Sequence, residues 1–192
     1  MARAGALIAA IVAALLVLTG ASGAATQQTP KRGGTIVVGL PGAEPACLNV
    51  VDVRCDTGTF FMLAPRVLLP AYAFGPDLTA RPVLVSGVDY TRRPPFTLTY
   101  HIRPEARWND GVPVTARDFV FTWKASRASE VPEFVVGRDV ISSIRAVDAK
   151  TVRVVLRRRY AGWRQLFPYV LPEHALRGED LTRVWTDSIE NP

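Results

Sequence analysis

Two histidines are the residues of this sequence best suited to proton transfer, and they lie far apart at His101 and His174. A catalytic nucleophile needs a base within hydrogen-bond reach and an acid that orients this base. Neither a GxSxG nor a Ser-x-x-Lys motif accompanies either histidine. Glu179 and Asp180 are adjacent carboxylates in a polar stretch, where solvation explains them. We therefore predict that the chain is not an enzyme.

The two cysteines, Cys47 and Cys55, are the second pair of residues with a possible chemical role, either as a disulfide or as metal ligands. In an exported protein they meet an oxidising environment, where an even number of cysteines favours a disulfide. A loop this short contributes about 2–3 kcal/mol by the chain-entropy estimate. The alternative is a metal-binding pair, but no histidine or further cysteine lies at ligand spacing. We predict a Cys47–Cys55 disulfide and no metal site.

Arginine dominates the charge of the chain, whose formal net charge is +6 at pH 7. A basic balance can indicate nucleic acid or an acidic membrane as partner. Here the arginines are scattered among apolar residues, apart from one run at 157–159, and no nucleic-acid-binding motif accompanies them. We predict no nucleic-acid partner. The run itself fits a solvated face, with a patch for an anionic partner as the alternative.

The first 25 residues have the composition of an export signal. Arg3 supplies the positive start, an apolar run spans 6–18, and small residues follow as far as Ala25. This run is too short to span a bilayer comfortably, which favours cleavage after export over an uncleaved anchor. Residues 26–32 are predicted to be a flexible leader, and no stable membrane span remains after cleavage. Ala21 stands where a lipoprotein processing box has its cysteine, so we predict an unlipidated periplasmic or extracellular protein.

Residues 96–124 have the clearest structural pattern and read FTLTYHIRPEARWNDGVPVTARDFVFTWK. Apolar and polar residues alternate at the start of this segment, which predicts a half-buried strand that ends at Pro104. The Asn-Asp-Gly run at 109–111 predicts a turn. Thr115 and Asp118 have the spacing of a capping box, which predicts a helix from Ala116 to about Ala128.

Shorter patterns surround this segment. We predict strands at four further places: 35–40, 88–91, 140–147 and 151–156. Helices are expected within 56–69 and at 160–167. Proline and glycine at 41–53 predict a loop. The glycines before the first strand match neither GxGxxG nor GxxxxGK[ST], and we expect no cofactor.

The sequence IRPEARWNDGVPVTARDFVFTW, with the strand before it, resembles the hallmark segment of the family 5 extracellular solute-binding proteins. The resemblance implies an α/β (mixed α+β) fold of the type II periplasmic-binding-protein kind, with a strand at 168–172. It also implies a division of the chain: first-lobe segments at 33–65 and 140–192, and an inserted subdomain at 66–139. On this resemblance the fold is incomplete, because the second lobe of the family is absent.

The same resemblance implies a receptor of an ABC importer, which binds peptides or other small solutes and delivers them to a permease complex. The loop after the first strand then brings Glu44, Cys47 and Leu48 near the ligand cleft, with an ordinary surface loop as the alternative. Trp163 is a further ligand-binding candidate, because aromatic side chains near a cleft pack on ligands; core packing is the alternative. The second function class is an exported fragment or interaction module without ligand binding.

Overall fold

The computed structural model describes residues 33, 35, 37–42, 44–131 and 134–186. The chain divides into two compact units, Met1–Gly39 and Leu40–Pro192. The predicted signal peptide and leader lie outside the described residues. The strand predicted at 35–40 is wrong for the described part of that segment, because no strand pairs with it there. Val37 and Val38 are accordingly 91% and 69% exposed.

Six strands and three α-helices occur in the described residues. The strands are β1 (Tyr72–Phe74), β2 (Ala80–Pro82), β3 (Val85–Tyr90), β4 (Thr97–Ile102), β5 (Ile141–Ala146) and β6 (Thr151–Leu156). The helices are α1 (Gly58–Val67), α2 (Ala116–Ala128) and α3 (Glu173–Leu176), with short 3-10 helices at Val53–Cys55, Arg138–Val140 and Trp163–Gln165. None of the helices in the described ranges is long and apolar enough to cross a membrane.

An antiparallel four-stranded sheet, in the order β3-β4-β6-β5, forms the centre of the second unit. On β4, Leu98, Tyr100 and Ile102 are buried, as the alternating pattern predicted. The predicted hairpin of β5 and β6 is confirmed, and its turn is closed by Asp148, whose Oδ1 accepts a hydrogen bond from the N–H of Lys150 at 2.8 Å. Because β4 pairs with β6, one sheet spans the predicted segment boundary at residue 140.

Helix α2 begins and ends at the predicted residues and covers this sheet. Its capping box is present, with the Thr115 N–H donating to Asp118 Oδ2 at 2.6 Å. Phe119 is fully buried and its ring lies 6.0 Å from that of Tyr100 and 5.1 Å from that of Phe167. Burial of one such side chain contributes about 2–3 kcal/mol, so the apolar face of α2 is a main source of stability for this layer.

Helix α1 belongs to a second hydrophobic cluster. Thr57 caps it by accepting a hydrogen bond from the Phe60 N–H at 3.2 Å. Phe60 and Ala64 are buried, one turn apart, and face residues from three distant parts of the chain: Val50, Val131, Leu171 and Leu176. This second cluster positions the loop that precedes α1.

Residues 168–172 do not form the strand that the resemblance implied. The Leu171 N–H instead donates to Thr122 Oγ1 on α2 at 2.9 Å, and the Val170 N–H donates to the Leu69 carbonyl at 3.2 Å. A segment whose N–H groups bond to a helix side chain and to a loop carbonyl is not part of a strand ladder.

The helix predicted at 160–167 is reduced to the 3-10 turn Trp163–Gln165. Phe167 adopts a positive φ of 59°, which is incompatible with continuing a right-handed helix. The ring of Phe167 thereby packs edge-on against Tyr100, with ring centroids 5.4 Å apart. Packing in the core therefore decides the backbone of this segment over its local helical pattern.

Candidate ligand-binding site

A disulfide closes the loop that precedes α1. It joins Cys47 and Cys55, whose Cα atoms are 4.9 Å apart. Between them Asp52 caps the short 3-10 helix, with its Oδ1 accepting a hydrogen bond from the Arg54 N–H at 2.9 Å. The hydrogen-bonded Arg54 side chain lowers the pKa of the Asp52 carboxyl. The disulfide and these local hydrogen bonds therefore give the loop a framework of its own.

Three hydrogen bonds tie this loop to distant parts of the chain. The Leu48 N–H donates to the Trp185 carbonyl at 3.0 Å. Asn49 is buried and its Nδ2 donates to the Leu181 carbonyl at 2.6 Å. Ser129 Oγ donates to the carbonyl of Val51 at 3.0 Å. The loop is therefore held against both the end of α2 and residues 181–185.

A cavity of about 480 Å³, here named the loop cavity, opens beside this loop. Three residues predicted from the sequence line it: Glu44, Cys47 and Leu48. The remaining lining comprises Leu40, Gly42, Pro45, Thr59, Leu63 and Thr186. One carboxylate and two hydroxyls thus stand among apolar side chains, a mixture that suits a small solute with an apolar part and a hydrogen-bond donor.

Helix α1 contributes two lining residues that the sequence reasoning missed, Thr59 and Leu63. They are spaced i, i+4 and therefore share one face of the helix. Thr59 Oγ1 donates to the Pro41 carbonyl at 3.3 Å, which joins the helix to the loop. The i, i+4 spacing directly after the cysteine loop was a usable signal, whereas Thr186 lies in a polar stretch that gave none.

Gly42 is a further lining residue that the sequence reasoning missed, and its backbone explains why glycine stands there. Its φ is +117°, a conformation that L side chains rarely adopt. A Cβ at this position would lie 2.8 Å from Thr59 Oγ1. The close approach of the loop to α1 therefore depends on the absence of a side chain at Gly42.

Trp163 lies elsewhere and is not part of the lining of the loop cavity. It is half-buried against the hydrophobic cluster between the four-stranded sheet and α2, which includes Leu98, Tyr100 and Phe119 and is here named the first hydrophobic cluster. The Trp163 ring lies 5.7 Å from that of Tyr72 and 6.2 Å from that of Tyr90. Its carbonyl accepts a hydrogen bond from the Tyr100 hydroxyl at 3.3 Å. The structure thus brings Glu44, Cys47 and Leu48 together and places Trp163 in aromatic packing.

Both histidines form pairs with carboxylates outside this lining. His101 Nε2 lies 2.8 Å from Asp89 Oδ2, and His174 Nε2 lies 2.8 Å from Asp110 Oδ2. Among the described residues, one cluster has metal-ligand types: Cys47, Asp52 and Cys55. The disulfide uses both sulfur atoms of this cluster, so no thiolate is available to bind an ion.

Comparison with known proteins gives a family match over residues 79–184, described as bacterial extracellular solute-binding proteins, family 5 middle. The probable monoacyl phosphatidylinositol tetramannoside-binding protein LpqW of Mycobacterium tuberculosis is 29% identical over 161 residues, which are 79% of this chain and 25% of LpqW. The oligopeptide-binding protein OppA of the same organism is 29% identical over 150 residues, which are 73% of this chain and 25% of OppA. The chain therefore spans about a quarter of the length of these relatives.

Solved structures agree in fold. The periplasmic EDTA-binding protein EppA superposes with a TM-score of 0.65 at 26% identity, covering 77% of this chain and 29% of EppA. Listeria monocytogenes OppA bound to peptide has a TM-score of 0.60 at 20% identity, covering 70% of this chain and 30% of OppA. The architecture is thus part of a type II periplasmic-binding-protein fold. Since the family match covers more than half of the sequence, the chain belongs to the bacterial extracellular solute-binding proteins of family 5.

Proposed function

We propose that this chain forms part of the solute receptor of an ABC importer, which binds peptides or similar small solutes outside the cytoplasmic membrane and delivers them to a permease. The loop cavity carries the proposal, because it gathers Glu44, Cys47 and Leu48 on a loop that is fixed by a disulfide. Family membership supports the same class of function. The repeated name OppA among the relatives favours peptide as the solute.

The chemistry of the cavity fits one end of a peptide. Glu44 offers a carboxylate to a protonated amino group, and such a charge-assisted hydrogen bond is stronger than a neutral one. Leu48 and Leu63 offer apolar contact, and the hydroxyl of Thr59 offers a polar contact that water can extend. Trp163, by its packing against Tyr72, supports the first hydrophobic cluster in this proposal and does not contact the solute.

A receptor of this kind closes two lobes over its solute by a hinge motion. We assign 33–65 to the first lobe and begin the inserted subdomain at residue 66. Because β4 pairs with β6, we place the end of this subdomain after β6 and return the chain to the first lobe from there to 192. Cleavage of the signal near residue 25, without lipidation, places the protein in the periplasm or outside the cell.

Calorimetric titration of trialanine into the purified protein tests the role of Glu44. We expect the Glu44→Gln variant to bind about tenfold more weakly, because the charge-assisted hydrogen bond is lost. Glu179→Gln is the matched control, since Glu179 is an exposed carboxylate that does not line the loop cavity. Absence of binding to the wild-type protein, or equal affinity of wild type and Glu44→Gln, would contradict the proposal.

A further inference from the structure

A second cavity, of about 410 Å³, lies where the end of α2 meets β5 and β6. We name it the arginine cavity after three of its lining residues. The full lining comprises Trp123, Arg127, Arg138, Asp139, Ile141, Ser142 and Arg157. Three positive side chains face one negative side chain, which leaves two positive charges uncompensated within the lining. None of these residues lines the loop cavity.

Arg138 has a structural role that accounts for its own charge. Its Nη1 donates to the Ser126 carbonyl at 3.1 Å and to the Ser129 carbonyl at 2.8 Å. These carbonyls lie at the end of α2, where a cation offsets the negative end of the helix dipole. Its Nε also lies 3.7 Å from Asp139 Oδ1. Arg138 and Asp139 thus compensate each other and the helix end.

Arg127 and Arg157 have no such compensation. Both are exposed, and neither has an ion pair with a carboxylate of the described residues. The Arg127 guanidinium lies over the Trp123 ring, with its Cζ 5.3 Å from the ring centroid. Stacking of this kind orients the guanidinium plane and leaves its N–H groups available to an acceptor.

The sheet beside this cavity extends the positive charge. Arg153 on β6 lies directly opposite Arg145 on β5 in the antiparallel register, and both are exposed. Like charges directly opposite each other destabilise a strand pair. Arg157 follows the last residue of β6, four residues after Arg153 and about 13 Å from it along an extended chain. Arg145 and Arg153 do not line the arginine cavity and add only to the general positive charge of this part of the sheet.

We propose that the arginine cavity binds a phosphate-bearing ligand through Arg127 and Arg157, with the Ser142 hydroxyl as an additional donor. The planar guanidinium forms two parallel hydrogen bonds to adjacent phosphate oxygens, which makes arginine suited to this group. The volume of the cavity exceeds the space that a single phosphate ion needs, so an organic part of the ligand fits beside the phosphate. This site is separate from the loop cavity and independent of its solute.

Calorimetric titration with inorganic phosphate at constant ionic strength tests the site, using the full chain and the variants Arg127→Gln and Arg157→Gln. Arg158→Gln is the matched control, because it removes one charge from the neighbouring residue, which does not line the cavity. We expect saturable binding to the wild type and to Arg158→Gln. We expect affinity at least about tenfold weaker in each of the other two variants, since each loses charge-assisted hydrogen bonds.

Flotation with vesicles of phosphatidylcholine and phosphatidylglycerol distinguishes a lipid headgroup from a free phosphate compound. Vesicle binding with the same order among the variants identifies the headgroup as the source of the phosphate. Binding of inorganic phosphate without vesicle binding identifies a soluble ligand. Absence of binding in both experiments would overturn the proposal. An equal loss of affinity in Arg158→Gln and Arg157→Gln would also overturn it, because it would indicate simple attraction to a basic surface and no dependence on the cavity.

Discussion

The carboxylate of Asp118 accepts a hydrogen bond from the backbone N–H of Glu173 at 2.8 Å, across 55 residues of sequence. The other oxygen of the same carboxylate accepts the Thr115 N–H in the capping box of α2. Burial raises the pKa of Asp118 and outweighs the opposing effect of these hydrogen bonds. One buried side chain therefore starts α2 and fixes the start of α3 against it.

Replacement of this carboxylate by an amide tests its double role. In Asp118→Asn, one of the two acceptors becomes an NH2 donor that faces a backbone N–H, so one of the two hydrogen bonds is lost. We expect the free energy of unfolding to fall by about 1–3 kcal/mol, measured by urea denaturation. Glu130→Gln, at an exposed carboxylate, is the control and should leave the midpoint unchanged. An unchanged midpoint in Asp118→Asn would show that the two hydrogen bonds do not contribute to stability.

The pairing of Asp110 with His174 gives a prediction about acid stability. The pKa of Asp110 is lowered from its ordinary value of 3.8, first by the hydrogen bond from the Val112 N–H and then by that of His174. Because the folded-state pKa is the lower one, the ionised carboxylate stabilises the fold above about pH 4, and this contribution is lost as the pH falls through the folded-state pKa.

We therefore expect Asp110→Asn to be less stable than the wild type at pH 6, and the difference to shrink as the pH falls through the lowered folded-state pKa of Asp110. Thermal unfolding of both proteins, followed from pH 6 to acidic pH, measures this difference in stability. The amide oxygen of the substituted side chain would still accept the Val112 N–H and keep the turn, so the comparison tests the charge together with its contact to His174. A stability difference that stayed constant with pH would contradict the assignment.

The parts of the fold that were predictable depend on residues close in sequence. The start of α2 follows from Thr115 and Asp118, three residues apart, and the buried face of β4 follows from its alternation. The course of 168–172 was not predictable, because the group that binds the Leu171 N–H belongs to Thr122, 49 residues away. The strand there was implied by resemblance to the family, and such a resemblance does not reveal that the hydroxyl of Thr122 on α2 accepts the N–H in place of a neighbouring strand.

In the candidate site, too, some features were predictable from the sequence and others depend on contacts made only in the fold. Proline and glycine marked the segment as a loop, and the resemblance to the family implied that Glu44, Cys47 and Leu48 lie near a cleft. Whether Trp163 faces a cleft or a core depends on Tyr72 and Tyr90, which approach it only through the fold. An aromatic residue that lines a ligand cleft and one that packs in a core occur in similar local sequences, so local sequence cannot distinguish the two cases.

The disulfide should stabilise the fold through the loop that it closes, since Cys47 and Cys55 are separated by 8 residues. We expect the double variant Cys47→Ser/Cys55→Ser to lose about 2–3 kcal/mol in the free energy of unfolding, because the unfolded chain regains the entropy of the open loop. Urea denaturation with and without reductant measures this loss. The wild type should become as unstable as the double variant when reduced.

Thiol labelling of the unfolded, unreduced protein provides the control for this experiment. We expect no label to be incorporated, since both cysteines are oxidised. Two labelled thiols per chain would show that the bond does not form in the isolated protein.

The loop cavity should depend on the absence of a side chain at Gly42. Alanine there must adopt a φ of +117° and place its Cβ 2.8 Å from Thr59 Oγ1. We expect Gly42→Ala to destabilise the protein by about 1–3 kcal/mol, measured by urea denaturation. Gly58→Ala is the matched control: Gly58 lies in the first turn of α1, and a Cβ there meets no atom within 4 Å. Its stability should be unchanged or higher, because alanine favours the helix.

The loss of stability expected in Gly42→Ala has two causes, the positive φ and the contact with Thr59 Oγ1. A second substitution, at Thr59, separates them. Thr59→Ala removes the oxygen that the new Cβ would meet, but it leaves the positive φ in place. In the Gly42→Ala background we therefore expect Thr59→Ala to cost less than it does alone, while stability stays below that of the Thr59→Ala single variant. Purely additive effects would show that the contact with Thr59 does not matter and that the backbone conformation alone requires glycine.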